Sequence, residues 1–430
     1  MSITTLYQLY LKHPQIQTDT RKLQPGAIFF ALKGENFNGN SFAKYALEMG
    51  AAYAVVDEDP GFTDERVIIV EDVLDTLQQL ALHHRKTFSI PFIAITGSNG
   101  KTTTKELITA VLQQQYRTYA TIGNLNNHIG VPLTILSIKP DAEMAIIEMG
   151  ANHLHEIEQY CKIALPTHAL ITNCGKAHLE GFGSEEGVRK AKGELYSFIR
   201  ETKGMVFRNA DLPYLEEMAK GIIKQVTYGS ANAQYIGKII SDTVHLRVAI
   251  LTHRMEATIS TQLAGDFNFP NVMAAVAIGA YFNIGIDPIK QAIQAYYPDN
   301  SRSQLIQLGS NRILLDAYNA NPTSMAAAIQ NFIKIDLPNK ALWLGAMKEL
   351  GQEEAKEHAA LVALIESYAW KQVILVGKEF ASVKAEHIWF ETSKAAAAYI
   401  QSHLPEEASI LIKGSRGSKM ELLLEALREG

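Results

Sequence analysis

One heptapeptide limits what this chain can fold into. Gly97-Ser98-Asn99-Gly100-Lys101-Thr102-Thr103 follows the apolar run FIAIT (92–96) and opens a segment of helical character, KTTTKELITAVLQQQY. Strand, glycine turn and helix together are the context that a phosphate-binding loop requires. Glycines let successive backbone N–H groups curl around phosphate oxygens, and the helix start adds its positive dipole. Lys101 neutralises phosphate charge in such a loop, and Thr102 offers a hydroxyl to Mg2+. The bland alternative is a strand–turn–helix corner with a chance Gly-Lys-Thr. The flanking strand and helix weigh against it, so the loop predicts nucleotide binding.

The same rhythm runs through the chain. MAIIEMG (144–150) and THALITNCG (167–175) are apolar runs of strand length, as expected of central strands covered on both faces. Strands alternating with helical segments predict an α/β protein with a doubly wound, mostly parallel sheet. Residues 204–260 alternate more and predict an antiparallel excursion. At about 150 residues per domain, 430 residues suggest roughly three domains. Pro91 after the helical segment Val73–Lys86 suggests one boundary, and the polar segment PDNSRS (298–303) another. The expected division is a small N-terminal α/β domain (1–86), a central P-loop domain (87–299) and a C-terminal Rossmann-like α/β domain (300–430).

Composition excludes several classes. With 47% hydrophobic and 20% charged residues the chain is too apolar to be disordered. A net charge of −5 argues against a general nucleic-acid binder, though a few placed cations still suit an anionic small substrate. Cys161 and Cys174 lack zinc-type spacing and predict reduced thiols in a cytoplasmic protein. The first residues, MSITTLYQLYLKHPQ, carry no basic stretch ahead of an apolar run, so no signal peptide is expected. Residues 267–286 carry no charge, but their continuous apolar part, Val272 to Phe282, suits a buried core helix better than a membrane span.

Three further residues invite chemistry. Glu148 ends the run AIIE, and in an open parallel sheet ligands bind beyond the carboxyl ends of the strands. A carboxylate there, level with the phosphate loop, is placed to hold Mg2+ through oxygen; alone, it reads equally as a helix cap or surface acid. His178 follows THALITN at another strand end, where a histidine is more often structural than a ligand. Lys192 lies in a helical segment, and a helical lysine is ordinarily a solvated cation that ligates nothing.

Taken together the motifs resemble the ATP-dependent Mur ligase family over almost the whole chain. DTRKLQPGAIFFALKGENFNGNSFAKYALEMGAAYAVV (19–56) is similar to the family's uridine-nucleotide-binding domain, with Asp19, Thr20 and Arg21 as its Asp-Ser/Thr-Arg motif. Asn38-Gly39-Asn40 stands where Asp-Gly-His is common. GNLNNHIGVP (123–132) resembles the segment that meets the substrate peptide, which implies Asn126 and Asn127 as contacts. GDFNFPN (265–271) resembles the adenine-contact motif at Asn268 and Asn271, with Phe267 in place of a histidine. The resemblance implies that Arg302 reaches ATP phosphate and that Asp316 lies near the ribose. It also implies that Lys192, with Lys190 its nearby competitor, is carbamylated by CO2 and becomes an anionic oxygen donor.

Within the family, DAYNANPTSM (316–325), LGAMKELG (344–351) and KGSRGSKME (413–421) are similar to the branch that adds a dipeptide, and imply Tyr318 and Asn319 as substrate contacts. The Asp-Asn-Pro-Arg motif of the diaminopimelate-adding branch is absent. The implied reaction joins D-alanyl-D-alanine to UDP-N-acetylmuramoyl-tripeptide through an acyl phosphate, using ATP bound at Gly97–Thr103. One Mg2+ is implied at Thr102 and Glu148, and a second at His178 and carbamylated Lys192, with Lys101 and Arg302 offsetting phosphoryl charge. The resemblance further implies a monomer without nucleic-acid or membrane partners. A ligase adding one amino acid, a non-catalytic nucleotide-binding regulator and a general P-loop ATPase are the competing readings.

Overall fold

The computed structural model describes residues 1–240, 244–252, 255–298 and 301–429. The expected boundary between residues 299 and 300 lies outside the described residues.

The first layer is a four-stranded parallel sheet, ordered β1 (Ile16–Gln17), β2 (Ile28–Phe30), β5 (Tyr53–Val56) and β6 (Val67–Ile69). A small hairpin, β3 (Lys33–Gly34) with β4 (Phe37–Asn38), stands beside it, and α1 (Ile3–Lys12), α2 (Ala43–Glu48) and α3 (Val73–Arg85) complete the unit. Asp72 caps α3 by accepting from Asp75 N. The far end of α3 is tied to the central region. The Arg85 guanidinium donates to the carbonyls of Ala164 (2.7 Å), Leu165 (2.8 Å) and Phe88 (2.9 Å) and lies 3.7 Å over the Phe92 ring. Burial pushes this guanidinium down to about 10. Its three carbonyl partners offset the cost of taking a cation out of water.

The central sheet has nine strands in the order β15, β14, β13, β12, β11, β10, β7, β9, β8. In chain order these are β7 (Phe92–Thr96), β8 (Thr118–Ala120), β9 (Met144–Glu148), β10 (His168–Ile171), β11 (Met205–Asn209), β12 (Lys224–Gly229), β13 (Tyr235–Ile239), β14 (His245–Thr252) and β15 (Met255–Ala264). Its helices are α4 (Lys101–Leu112), α5 (Gly130–Leu136), α6 (Glu156–Ala164), α7 (Leu179–Phe182), α8 (Glu185–Glu201), α9 (Pro213–Met218), α10 (Phe269–Tyr281) and α11 (Ile286–Ala295). Every residue of β7 is buried, as a strand with neighbours on both edges and helices on both faces demands. The antiparallel excursion is narrower than expected. β10 to β13 run parallel to one another, and among the described strands of this sheet only β14 reverses, antiparallel to both β13 and β15. Residues 241–243, inside that expectation, lie outside the described residues. Most of the uncharged stretch 267–286 is α10, buried along most of its length against the phosphate-loop helix α4. A helix apolar all round belongs in a core. No helix among the described residues is long and apolar enough to cross a membrane.

The last sheet has six strands in the order β16 (Gln304–Leu308), β17 (Asn311–Asp316), β21 (Ser409–Lys413), β18 (Lys340–Gly345), β19 (Gln372–Val376) and β20 (Ile388–Phe390). Only the edge strand β16 is antiparallel. α12 (Pro322–Lys334), α13 (Glu354–Glu366), α14 (Ser393–Ile400) and α15 (Glu421–Glu429) connect or flank these strands. Asn321 caps α12 in a reciprocal box with Ser324, and Pro322 follows at the first helical position. That cap puts the start of α12 beside the phosphate loop.

Candidate active site

The loop at the end of β7 is shaped by two glycines. Gly97 has φ +145, and a Cβ there would fall 2.0 Å from Thr172 Oγ1. Gly100 precedes α4 at φ +79, where a Cβ would come 2.7 Å from Asn271 Oδ1. Left-handed backbone and close approach both call for glycine. The end of β10 clamps the loop from the side. Ser98 N donates to Asn173 O (2.9 Å), Asn99 N to Asn173 Oδ1 (3.0 Å), and Thr172 Oγ1 to Asn99 O (2.6 Å). The Lys101 ammonium donates to the carbonyls of Gly97 and Ser98. Burial pushes this ammonium down; Glu148 pulls it up, and Arg302 pushes it down again. Arg302, from the C-terminal region, thus faces Lys101 within electrostatic reach. Thr103 is buried on α4.

Glu148 sits beside this loop because β9 pairs with β7 in a register that sets Glu148 opposite Ile95. It is 1% exposed, which removes the surface-acid alternative. Thr102 Oγ1 (3.2 Å) and Asn126 Nδ2 (2.8 Å) both donate to Oε1. Oε2 is buried without a hydrogen-bond partner, and the Lys105 ammonium lies 4.0 Å from it. A buried carboxylate oxygen with unused lone pairs, next to a threonine hydroxyl and a phosphate loop, suits a hard cation. Among the described residues no group of three or more His, Cys, Asp or Glu side chains gathers to cage a metal. Sparse protein ligation fits Mg2+, which is usually held by one or two carboxylates together with substrate phosphates.

Lys192 lies on the apolar stripe of α8, among Val188, Ala191, Leu195, Tyr196 and Ile199, while Lys190 is exposed. It is 1% exposed; Nζ donates to Ala151 O (3.2 Å) and lies 5.0 Å from the Phe182 ring centre. Burial first, and then the charge of Lys101, pushes this ammonium down to about 7. A substantial fraction is therefore neutral amine near neutral pH, the form that attacks CO2. His178 precedes α7 at φ +51, and its Nδ1 is ion-paired with Glu349, beyond β18.

The remaining expected residues fall into two groups. Arg302 stacks on Tyr318, its Cζ 3.6 Å from the ring centre, and Arg416 approaches the same ring at 5.7 Å. Asp316 ends β17 and pairs with buried Lys413, whose Nζ also donates to Asn319 O (3.3 Å). Asn321 Nδ2 donates to Asn99 Oδ1 (2.8 Å), which joins α12 directly to the phosphate loop. Asn271 is not the helix cap that its position suggests. Asn268 precedes α10, while Asn271 in the first turn accepts from Thr104 Oγ1 (3.0 Å) and donates to Asn268 Oδ1 (2.9 Å). Asn127 Oδ1 accepts from Ile129 N (3.2 Å) and Gly130 N (2.9 Å), so its side-chain oxygen shapes its own turn. Thr20 and Arg21 stand apart on a short helical turn, Arg21 gripping Asp19 bidentately (2.9 and 2.8 Å). Asn40 Nδ2 donates to Asp57 Oδ1 (2.8 Å) where a histidine is common. Lys105, Thr172, Asn173, Asn321, Glu349 and Lys413 escaped the sequence reading. All six lay in segments already quoted there, but without a role of their own.

Comparison with known proteins agrees over the whole length. Family models match residues 14–85 (Mur ligase family, catalytic domain), 95–279 (Mur ligase middle domain) and 301–416 (Mur ligase, glutamate ligase domain). The chain is 35% identical over 429 residues to the UDP-N-acetylmuramoyl-tripeptide–D-alanyl-D-alanine ligase of Bacillus subtilis, covering 96% of this chain and 93% of that one. It is 36% identical over 426 residues to the ligase of the same name from Escherichia coli, with the same coverage. Among solved structures, a crystal structure of MurF from Acinetobacter baumannii superposes with TM-score 0.90 at 29% identity, covering 100% of this chain and 99% of that one. MurF ligase from Thermotoga maritima in complex with ADP superposes with TM-score 0.87 at 25% identity, covering 97% and 98%.

Proposed function

The chain belongs to the Mur ligase family, and we propose how its own residues carry out that family's amide ligation. The reaction uses ATP to join D-alanyl-D-alanine to UDP-N-acetylmuramoyl-tripeptide, a step of peptidoglycan precursor synthesis. The observation that carries the residue assignment is convergence. Lys101, Thr102 and Glu148 meet at the carboxyl ends of β7 and β9, Lys192 lies within reach of Lys101's charge, and Arg302 faces Lys101 from the third sheet's side. Gly97–Thr103 cradles the ATP phosphates, with Asn271 behind the loop.

The tripeptide's terminal carboxylate attacks the γ-phosphorus of ATP, forming an acyl C–O–P bond and releasing ADP. The dipeptide's neutral amine then attacks the acyl carbon, and the tetrahedral adduct breaks its C–O bond to expel phosphate, the nitrogen's proton leaving to solvent or to the departing phosphate as the amide forms. Two anions must approach one another in the first step, so Lys101 and Arg302 offset charge where it gathers. Mg2+ bound at Thr102 and Glu148 would add Lewis-acid polarisation of the phosphoryl oxygens. Neutral Lys192 Nζ attacks the carbon of CO2; the N–C bond forms as one C=O π pair moves to oxygen, the proton leaves to solvent, and the resulting carbamate offers anionic oxygen as the ligand that acts with His178. Asn126 orients Glu148 as well as facing the peptide. Tyr318 and Asn319 receive the dipeptide, Asp316 lies near the ribose, and Thr20 and Arg21 hold the uridine nucleotide. The division 1–86, 87–299 and 300–430 assigns these tasks to three domains of a cytoplasmic monomer. A phosphate-release assay with UDP-tripeptide tests the reading. Turnover with D-alanyl-D-alanine and none with single amino acids is expected, and ATP hydrolysis indifferent to the muramyl substrate would sink it.

A further inference from the structure

Two non-glycine residues adopt left-handed backbone at one point where the central and C-terminal regions meet. His178 has φ +51 and Glu349 has φ +60, and their side chains meet, Nδ1 against Oε2. Such backbone is strained and persists only where surroundings over-determine it, most often at functional sites. Here the surroundings are visible. Glu180 N donates to Glu349 O at 3.1 Å, and Gly351, at φ +54, packs so closely that a Cβ would lie 3.3 Å from Glu180 Cα. The contact does not have regular hydrogen-bond geometry at Nδ1, so this backbone anchor is what brings the carboxylate against that edge of the ring. Stability alone does not account for it. The Glu349 side chain is 51% exposed, and exposed ion pairs contribute little.

The chemistry of the pair gives a different reason. An ionised carboxylate only accepts, so the ring nitrogen facing it carries the hydrogen. In neutral imidazole that leaves Nε2 as the lone-pair donor. Ligating histidines are commonly held this way, with the second ring nitrogen fixed by a carboxylate. We propose that Glu349 is a positioning residue, which fixes the His178 ring by its Nδ1 edge, keeps Nε2 available as a donor, and does so only while the C-terminal region is docked. His178 then becomes competent when the α12 side of the site is in place, which couples assembly of the site to its chemistry. The inference rests on the ligase reading above.

Long-range proton–nitrogen correlation spectra of the full chain labelled at histidine nitrogen read the tautomer directly, with His178 assigned by its loss in His178→Gln. The parent is expected to show the Nδ1–H form. Glu349→Ala should release a mixture of tautomers, and Glu349→Gln, which keeps an acceptor, should retain the parent form. In ligase assays Glu349→Ala should lower kcat about 10–100-fold with little change in KM for ATP, and Glu349→Gln should lose less. A Glu349→Ala protein that keeps one Nδ1–H tautomer, or keeps the parent's kcat, overturns the proposal. If the parent itself fails to join the two substrates, the ligase reading falls, and the tautomer comparison still decides whether Glu349 sets the ring.

Discussion

At the scale of single residues, Lys192 sets function against stability. Its proton is held with a pKa near 7 in the fold against 10.5 ordinarily. The unfolded chain therefore binds the extra proton throughout that window, and folding stability rises with pH across it. Below about pH 7 the full penalty of a buried cation is present; toward pH 10.5 it is relieved. Lys192→Met removes the charge and keeps the volume. In CO2-free buffer it should be more stable than the parent by about 1–3 kcal/mol at pH 6.5, with the gap shrinking at pH 9. Urea unfolding at the two values checks this, and a constant gap would disprove it. The same residue should be indispensable to turnover: Lys192→Ala should lose activity and regain part of it with short-chain carboxylic acids. The helix that carries Lys192 was legible in the sequence; its burial was not read there, although Val188, Lys192, Leu195 and Ile199 recur at helical spacing. The meeting of Lys105 with Glu148 was not legible at all. The lysine's helix position looks ordinary until β9 brings Glu148 within 4.0 Å, and no local pattern encodes that meeting.

At the scale of elements, the phosphate loop depends on what flanks it. Gly97→Ala puts a Cβ 2.0 Å from Thr172 Oγ1 in left-handed backbone, so β7 and β10 must separate or the loop must tilt. A loss of about 1–3 kcal/mol of stability is expected, and the rise in melting temperature on adding ADP should disappear. A calorimetric scan with and without ADP measures both, and an undiminished ADP shift would refute the account. Arg85 at the end of α3 is a second such point. Arg85→Ala strands the carbonyls of Ala164, Leu165 and Phe88, at a cost of about 2–4 kcal/mol. Urea midpoints decide it, and a change under half that size would show water taking over those carbonyls. Strand, loop and helix at 92–112 were legible because period, glycine placement and apolar run agree locally. The parallel pairing of β11 to β13 was not. β-Branched alternation marks a strand but leaves the direction of its neighbour open.

At the scale of the whole molecule, the balance between docked and separated domains governs whether the site exists. Asn99 meets Asn321, Lys176 N donates to Thr323 Oγ1 (2.9 Å), and Lys176 Nζ donates to Glu357 Oε1 (2.7 Å) on α13. Glu357 is 5% exposed, so its charge is out of water only because Lys176 answers it. Lys176→Met leaves that carboxylate buried and unpaired. Undocking rehydrates it, so the equilibrium should move toward separation by about 1–3 kcal/mol, roughly 5- to 150-fold. Small-angle scattering should show a larger radius of gyration for Lys176→Met than for the parent. ATP analogue with UDP-tripeptide should draw it back, because ligands bridging the domains favour the docked state. Adding Glu357→Leu removes the stranded charge and should restore compactness without restoring the ion pair. If Lys176→Met scatters like the parent, or the double variant opens further, then the hydrogen bonds at Asn321 and Thr323 hold the domains, and the ion pair merely decorates a contact that packing already secures.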